Sequence, residues 1–357
     1  MLTLNPQNDI YRPLKITHLL RQMYIYGMLY IHQFPDWTNF RFDYKKILNM
    51  LGMVRLEEGR LLGLSQILDD TQGNSILTAD IQSNFAIDDF EISKNTLISL
   101  IENLPTADIT QDKLIQYYKL ISEKPKQNFR TNTGIVSRTI SENKTFTFQG
   151  VAPERIPQEV GNFIKWARLS PNDEIIKTAI AHFWLITIRP FENANGRIAR
   201  AITTAQFMQA EFTKFPLYSI NEQILLKREE YFEMLSKAQS GNGDLTEWLL
   251  WMMTTQLAAI RKRIAAFETS LQFQKLKIQG ISKSLSEREL QIIDAIITNK
   301  LKSSFSVKNV ASVTGTSHDS ALRDIQHLMA EHILTQNKKG GRSTSYSLAE
   351  FSTDTTP

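Results

Sequence analysis

Four residues near the middle of the chain have the types and the spacing of a phosphate-binding site. Asn195, Gly196 and Arg197 are followed by Arg200, between two stretches with helical patterns. The first turn of a helix presents unpaired N–H groups, and guanidinium groups form charge-assisted hydrogen bonds with phosphate. Arg197 and Arg200, three residues apart, occupy neighbouring positions on the first turns. A tight turn followed by surface arginines is the alternative that these residues alone leave open.

The elements around this segment are predicted to be mostly helical. Residues 171–188 are hydrophobic around much of a helical circumference, which predicts a central buried helix, and residues 198–212 predict the helix that follows. A β-hairpin with its turn at residues 141–144 is predicted before them, because polar and aromatic residues alternate along its second strand. The alternating residues are Thr145, Phe146, Thr147 and Phe148. The polar residues 69–74 predict a loop.

The composition predicts a globular chain of two or three domains. Its 357 residues, 42% of them hydrophobic and 22% charged, lie in the ordinary range for soluble proteins. Cysteine is absent, which excludes disulfides, thiolate catalysis and cysteine-based metal sites and fits a reducing cytoplasm. A net charge of +4 is too small to indicate nucleic-acid binding by itself. The sequence has neither an apolar run of about 18 residues nor a signal-peptide pattern, so we expect a cytoplasmic protein that does not span a membrane.

Residues 181–200 resemble the central motif of the Fic (Fido) family of AMP-transferases. That motif reads His-Pro-Phe-x-(Asp/Glu)-Gly-Asn-Gly-Arg-x-x-Arg, and it is matched here at Pro190, Phe191, Asn195, Gly196, Arg197 and Arg200. In the family, the His deprotonates a target hydroxyl, the acidic residue holds Mg²⁺, and the Gly-Asn-Gly-Arg loop binds the phosphates of ATP. The resemblance therefore implies that ATP is bound, and it assigns to the nucleotide Ala194, Asn195, Gly196, Arg197 and Arg200.

The chain departs from this motif at the catalytic positions. Arg189 stands in place of the base, and a guanidinium has no acceptor for a proton near pH 7. Loss of a positioned base typically lowers the rate by about 10²–10⁴-fold. Asn193 replaces the carboxylate that holds Mg²⁺, so metal binding is expected to be weakened, and Ala194 replaces a glycine. The neighbouring Glu192 would point elsewhere in the family's loop geometry, and His182, about two helical turns before Arg189, is expected to be hydrogen-bonded inside the bundle.

Other segments take roles from the same resemblance, which extends over about residues 28–348. The hairpin residues 145–148 occupy the place of the family's flap, which aligns a protein target, and Tyr231 that of an aromatic residue near the adenine. The family often has an inhibitory helix whose glutamate pairs with the last motif arginine and blocks ATP. Here Asp88 takes the place of that glutamate and Asn84 that of a Ser or Thr. Acidic residues that cap or end a helix are the alternative.

The chain beyond about residue 284 predicts a winged helix-turn-helix. Ser286 and Glu289 have the spacing of a capping box before an amphipathic helix, and two further helices flank a turn at Gly315. In such a fold the second of these helices enters the major groove of DNA and the β-hairpin wing contacts phosphate. The residues predicted to bind DNA are Arg323 and Gln326 on the helix and Lys338, Lys339 and Arg342 on the wing. A protein-interaction or dimerisation module is the alternative.

These patterns together predict a mainly α protein. It is expected to be a Fic-type helical bundle with a short β-hairpin flap, an N-terminal helical domain and a C-terminal winged helix-turn-helix. The predicted segments are an N-terminal extension (1–27), the N-terminal helical domain with the degenerate inhibitory helix (28–105), the Fic domain (106–266), a linker helix (267–283) and the winged helix-turn-helix (284–350). Residues 1–27 could equally begin with a docked helix.

The predicted function is that of a pseudoenzyme. The chain is expected to bind ATP at its phosphate loop, to lack the catalytic His, and to act as a DNA-binding or regulatory protein. One alternative is an active protein adenylyltransferase, or a transferase of another phosphate-containing group, in which Arg189 has an electrostatic role. Another is an interaction protein with a vestigial phosphate site. The expected partners are a nucleotide, DNA at the winged helix and a protein target at the flap, with a homodimer left open.

Overall fold

The computed structural model of the chain describes residues 30–66, 70–103, 108–141, 144–278, 285–298, 300–302, 304–337 and 344–349. The predicted extension 1–27 and the wing residues Lys338, Lys339 and Arg342 lie outside these ranges. The chain divides into two compact units, one ending at Ile264 and the other beginning at Ala265. The candidate phosphate site belongs to the first unit, and the predicted winged helix-turn-helix to the second.

Three helices form the N-terminal part of the first unit: α1 (Tyr44–Ser65), α2 (Asp70–Ala86) and α3 (Lys94–Glu102). The loop predicted for residues 69–74 is wrong from Asp70 onward, because these residues form the start of α2. Gly73 lies so close to the ring of Phe215 that a Cβ atom there would overlap it. Packing of this turn against the rest of the unit outweighs the low helix propensity of its residues.

The centre of the first unit is a buried helix. This central helix is α6 (Glu174–Ile188). Its neighbours along the chain are α4 (Gln111–Ile121), α5 (Ile156–Leu169) and α7 (Asn195–Ala210). The carboxylate of Asp173 caps α6 by accepting a hydrogen bond from the N–H of Ile175 at 2.9 Å. From Ile175 to Ile188 every side chain except that of Lys177 is buried, which confirms the predicted central helix.

Three further helices follow: α8 (Ile220–Leu226), α9 (Arg228–Gln239) and α10 (Thr246–Ile278), of which α10 begins in the first unit and ends in the second. α8 and α9 meet at Lys227, whose non-helical backbone separates them. α10 continues past residue 266, so the predicted linker helix is continuous with it up to Ile278.

A two-stranded antiparallel hairpin stands beside the helices. Its strands are β1 (Ile135–Ser141) and β2 (Lys144–Gln149), and Arg138 pairs with Phe146. Cross-strand hydrogen bonds join the hydroxyl groups of Thr139 and Thr145 and those of Ser137 and Thr147, each at 3.1 Å. The predicted mainly α fold with a short hairpin at this place is confirmed.

Among the described residues that follow α10, the second unit has three helices and two short strands. They are α11 (Glu287–Ile297), α12 (Val307–Thr314), α13 (His318–Ala330), β3 (Leu334–Gln336) and β4 (Tyr346–Leu348). Gly315 ends α12 in the left-handed conformation with φ of 66°, and Phe305 pairs with Tyr346 as an isolated bridge. Buried Ile292, Val310, Ile325 and Leu328 belong to its core. The identification of this unit as a winged helix-turn-helix stays a prediction.

Candidate nucleotide site

The loop between α6 and α7 begins and ends with a residue in left-handed conformation. Arg189 ends α6 with φ of 51°, and Ala194 precedes α7 with φ of 58°. Left-handed backbone costs an alanine roughly 1–2 kcal/mol, a cost that glycine avoids. Ala194 therefore has, without a glycine, a backbone conformation that favours glycine.

Asn195 holds the loop in shape. Its side-chain amide accepts a hydrogen bond from the N–H of Phe191 at 2.9 Å and donates one to the carbonyl of Phe191 at 2.7 Å. The ring of Phe191 stacks on that of Tyr118 with centroids 4.3 Å apart. Asn195 was predicted to bind nucleotide, but in the structure its side chain is committed to the backbone of its own loop.

Arg130 braces the same loop from the hairpin side. Its N–H donates to the carbonyl of Pro190 at 2.9 Å, and its guanidinium donates to the carbonyl oxygens of Arg189 at 2.6 Å and Ile188 at 3.3 Å. It also bonds to Val151. Arg130 is only 2% exposed. No sequence pattern singled out this arginine, because its partners are carbonyl oxygens distributed along the chain.

The two motif arginines at the start of α7 lie buried against α2. Nε of Arg200 donates to Oδ1 of Asn84 at 2.7 Å, and Nη2 donates to Oδ2 of Asp88 at 2.8 Å. Arg197 donates to the carbonyl of Ile121 at 3.2 Å, and its Nε lies 3.9 Å from Asp88 Oδ2. The residues proposed to match the inhibitory helix and the last motif arginine are therefore in direct contact.

Asp88 is the carboxylate at the centre of these cations. Arg138 of β1 contacts its Oδ1 at 2.8 Å, opposite the bond from Arg200. Burial by itself would raise the pKa of Asp88, but the charges of Arg200 and Arg138 offset this effect and lower the pKa. Asp88 is therefore ionised at neutral pH.

Arg189 carries its charge without such a partner. Its Nε is buried and forms no hydrogen bond with the described residues. Burial and the repulsion from Arg130 lower the pKa of Arg189 to about 10, which leaves the side chain charged at neutral pH. The side chain as a whole is partly exposed, and its guanidinium can donate hydrogen bonds but accept none.

The remaining loop positions are engaged by neighbouring residues. Asn193 Oδ1 accepts a hydrogen bond from the hydroxyl of Ser122 at 2.6 Å. Glu192 pairs with Lys126 at 2.8 Å and bonds to Asn132, and the hydrogen bond from Lys126 lowers the pKa of Glu192. A charged carboxylate is thus present one residue before Asn193, but it is already paired with a cation.

A cavity of about 310 Å³ opens above the loop and the start of α7. Its cationic side is formed by Arg138, Arg189, Arg197 and Arg200, together with Asp88. Apolar side chains of the hairpin and of α9 form other parts of its wall: Ile135, Val136, Phe146, Phe148, Phe232 and Leu235. An apolar wall facing a cluster of guanidinium groups has the chemistry of a site for a nucleotide.

Sequence models of two families match the first unit. The model of the Fic/DOC family matches residues 108–207, and that of the domain of unknown function DUF4172 matches residues 30–102. The chain contains a Fic domain. A crystal structure of a Fic family protein from Desulfovibrio desulfuricans G20 is similar, with a TM-score of 0.50 over 85% of this chain and 96% of that chain. At 16% identity this likeness shows the fold, which is the Fic helical fold.

Two curated relatives are named as protein adenylyltransferases. Protein adenylyltransferase fic-1 of Caenorhabditis briggsae is 28% identical over 154 residues, which are 42% of this chain and 28% of the relative. Protein adenylyltransferase Fic of Nematostella vectensis is 35% identical over 95 residues, which are 26% of this chain and 21% of the relative. The chain thus matches roughly a quarter of the length of these relatives.

The first unit buries Tyr231 in its core, and this residue does not line the cavity. The ring is fully buried, and its hydroxyl lies 2.9 Å from Nε2 of His182, whose Nδ1 lies 2.8 Å from the hydroxyl of Thr203. The aromatic residue that lines the cavity is its neighbour, Phe232. Burial lowers the pKa of His182 to about 3, so this histidine is neutral and, as expected, hydrogen-bonded inside the bundle.

The hairpin of the Fic domain brings three of its four predicted residues to the cavity. Phe146, Thr147 and Phe148 line it, whereas Thr145 is bonded to Thr139 across the hairpin. The carbonyl of Thr147 accepts a hydrogen bond from the hydroxyl of Tyr30 at 3.1 Å. The N-terminal region of the chain therefore contacts the strand that faces the cavity.

In the second unit, α13 exposes part of the predicted DNA surface. Arg323 and Gln326 are exposed, while Asp324 of the same helix is 5% exposed and is bonded through both oxygens to Arg288 at 3.1 and 3.0 Å. The negative charge of Asp324 is therefore neutralised inside the unit. The wing cations lie outside the described residues. In the part of the chain that the structure describes, no helix is long and apolar enough to cross a membrane.

Proposed function

We propose that this Fic-domain protein binds a nucleoside triphosphate at the start of α7 and does not transfer AMP to a hydroxyl. The proposal rests on one observation: the loop and the start of α7 have cations that can bind phosphate but lack a proton acceptor at the position of the base. Arg197 and Arg200 supply buried cations at a helix N-terminus, a combination that favours phosphate. Arg189, at the position of the family's base, has no atom that can accept a proton from a hydroxyl.

The donor set does not fit the Mg²⁺ that the family uses. Asn193 offers a neutral amide whose oxygen already accepts a hydrogen bond from Ser122, and Mg²⁺ prefers anionic oxygen ligands. Glu192 is paired with Lys126. We therefore assign no step to a metal ion, and the proposed binding rests on the arginines.

Asp88 is proposed to compete with the nucleotide. Its carboxylate occupies Nη2 of Arg200 and lies near Nε of Arg197, so a phosphate that used these donors would have to displace it. We expect Asp88→Ala to bind ATP at least about tenfold more tightly than the unaltered chain in a calorimetric titration. Equal affinities of the two proteins would show that Asp88 does not compete.

Transfer is tested with ATP labelled on its α-phosphate. The full-length chain and an Arg189→His, Asn193→Asp, Ala194→Gly triple variant are incubated with Mg²⁺, alone and with a cell lysate. We expect label in protein from the triple variant only, because it regains a base, a carboxylate and a glycine. Label transferred by the unaltered chain would overturn the proposal.

That outcome would favour the alternative function, an active adenylyltransferase. The names of the curated relatives support this alternative, and transfer of another phosphate-containing group is a variant of it. In such an enzyme Arg189 would stabilise negative charge, and the target hydroxyl would lose its proton to another acceptor. If protein becomes labelled with ATP that carries its label on the α-phosphate, and not with ATP that carries it on the γ-phosphate, the transferred group is AMP.

DNA binding by the second unit is a further proposal. It is supported by the exposed Arg323 and Gln326 on α13 and by the pairing of the buried Asp324 with Arg288, which offsets the negative charge of Asp324. We expect genomic fragments to be retarded in gels at low salt, with affinity that falls as salt is raised. Arg323→Ala and a Lys338→Ala, Lys339→Ala, Arg342→Ala variant should weaken the shift. Absence of binding at low salt would leave a protein-interaction module.

A further inference from the structure

The main chain of Arg189 is held in one position by several contacts. Its N–H donates to the carbonyl of Leu185 at 3.2 Å, and its carbonyl accepts a hydrogen bond from Arg130. A Cβ atom added at Gly150, at the end of the hairpin, would lie 3.0 Å from Cβ of Arg189. The stem of the side chain is therefore fixed between the hairpin and the loop, and its guanidinium lines the cavity.

The charge of Arg189 is not balanced by the carboxylates that line the cavity. Asp88 attracts it, but both oxygens of Asp88 are already bonded, to Arg138 and to Arg200. Glu192 is paired with Lys126. A partly buried guanidinium without a counter-ion is incompletely solvated, and an anion bound in the cavity would stabilise it.

The arginine at the position of the family's base also changes which ligand groups can bind next to residue 189. A base accepts a proton and needs a hydroxyl, whereas a guanidinium donates up to five hydrogen bonds and needs acceptors. The best acceptors for this geometry are the oxygens of phosphate and carboxylate groups. The position of the family's proton acceptor has thus become a position for an anion.

We infer that Arg189 is a recognition residue for a phosphoryl group of the ligand, so that the cavity distinguishes nucleotides by their number of phosphates. This inference rests on the proposed nucleotide binding. The donors at the start of α7 hold one part of a phosphate chain. Arg189, an additional unpaired cation in the same cavity, raises the affinity for a ligand that has further anionic groups. The ligand class is a nucleoside triphosphate in preference to a monophosphate.

The test is a titration of the full-length chain with AMP, ADP and ATP. Each nucleotide is titrated calorimetrically into the unaltered chain, Arg189→Gln and Arg189→Lys. Arg168→Gln, which removes an exposed arginine of α5 outside the cavity, is the matched control. All proteins are also measured with Asp88→Ala added, so that competition from Asp88 does not hide binding. Circular dichroism and thermal unfolding check that the variants are folded.

We expect the unaltered chain and Arg168→Gln to bind ATP at least about tenfold more tightly than AMP. Arg189→Gln should lose most of this ratio by weakening ATP and not AMP, and Arg189→Lys should keep part of it because it keeps the charge. An unchanged ratio in Arg189→Gln overturns the inference while leaving nucleotide binding in place. Failure of every nucleotide to bind, with or without Asp88, overturns the proposed function as well.

Discussion

The two ends of α7 bury opposite excesses of charge. At the N-terminal end, Arg197 and Arg200 lie around the single carboxylate of Asp88. Just beyond the other end, Glu211 is buried beside Glu58, which pairs with Arg55 at 2.7 Å. Both arrangements oppose the helix dipole, which favours anions at the N-terminus and cations at the C-terminus.

The two ends relieve these charges by different means. A guanidinium stays protonated, so the cationic end requires an anion, from Asp88 or from a ligand. A carboxyl can take up a proton, and burial, with the neighbouring Glu58, raises the pKa of Glu211 to about 8. Within the described residues, Oε1 of Glu58 and Oε1 of Glu211 are buried without a hydrogen-bond partner, so a proton on Glu211 removes a negative charge from a poorly compensated site.

The two ends of α7 are therefore suited to different roles, one to binding an anion and the other to taking up and releasing a proton. The guanidinium groups of the cationic end stay charged near neutral pH, which suits this end to the recognition of an anion. The anionic end is neutral or charged according to pH, which makes it sensitive to alkali. Variants at each end should therefore fail in different ways.

The largest expected effect comes from removing Asp88. Asp88→Ala leaves Arg200, which is fully buried, and Arg138 without their shared carboxylate. We expect the free energy of unfolding to fall by about 3–5 kcal/mol, because an unpaired charge remains in the interior. Urea unfolding followed by tryptophan fluorescence measures this, since all five tryptophans lie in the first unit.

The control for Asp88 is its neighbour. Asp89 pairs with Arg228 but has a side chain that is 73% exposed. Asp89→Asn, which keeps a residue that tolerates the left-handed backbone at this position, should change the unfolding free energy by less than about 1 kcal/mol. ATP should restore part of the stability of Asp88→Ala and little of that of Asp89→Asn. Equal losses in both variants would contradict the idea that the buried cations depend on Asp88.

The sequence predicted the cationic end better than the anionic one. Arg197 and Arg200 were found because they belong to a contiguous motif at the start of a helix. Glu58 and Glu211 come from segments 153 residues apart in the numbering of the chain (211 − 58), and neither belongs to a motif. Only folding brings them together, so no pattern in the sequence could indicate that Glu211 holds a proton.

The same distinction applies inside the candidate site. The buried helix α6 and the hairpin followed from local periodicity, and the contact of Asp88 with Arg200 agrees with the resemblance. The bracing role of Arg130 did not follow, because backbone carbonyls leave no trace in side-chain patterns. Tyr231 was assigned to the ligand although its neighbour Phe232 lines the cavity, since one residue along a helix turns a side chain by about 100°.

The second prediction concerns the dependence of stability on pH. The folded pKa of Glu211, about 8, lies above its ordinary value of 4.5, so the folded state holds a proton that the unfolded state releases. The resulting stabilisation is complete below about pH 4.5 and is lost as the pH rises through about 8. Glu211 is surrounded by Glu58, Tyr218 and Arg55.

We expect Glu211→Gln to lose less stability than the unaltered chain between about pH 6.5 and about pH 9, by an amount on the order of a few kcal/mol. Urea unfolding at several pH values measures this. Part of the decline should remain, because burial also raises the pKa of Asp80. The control is Glu222→Gln, at a partly exposed carboxylate paired with Lys262. Parallel pH profiles for the unaltered chain and Glu211→Gln would show that Glu211 does not hold the proton.

The smallest expected effect is a gain in stability at the cationic end. Ala194→Gly relieves the left-handed backbone before α7, at the cost of a more flexible unfolded chain. The net result should be an increase of about 0.5–1 kcal/mol in the free energy of unfolding. Ala201→Gly, in the interior of α7, should instead lower it by about 1 kcal/mol, because glycine is the poorer helix former there. A loss in both variants would mean that the methyl group of Ala194, which lines the cavity, stabilises the loop by more than its strained backbone costs.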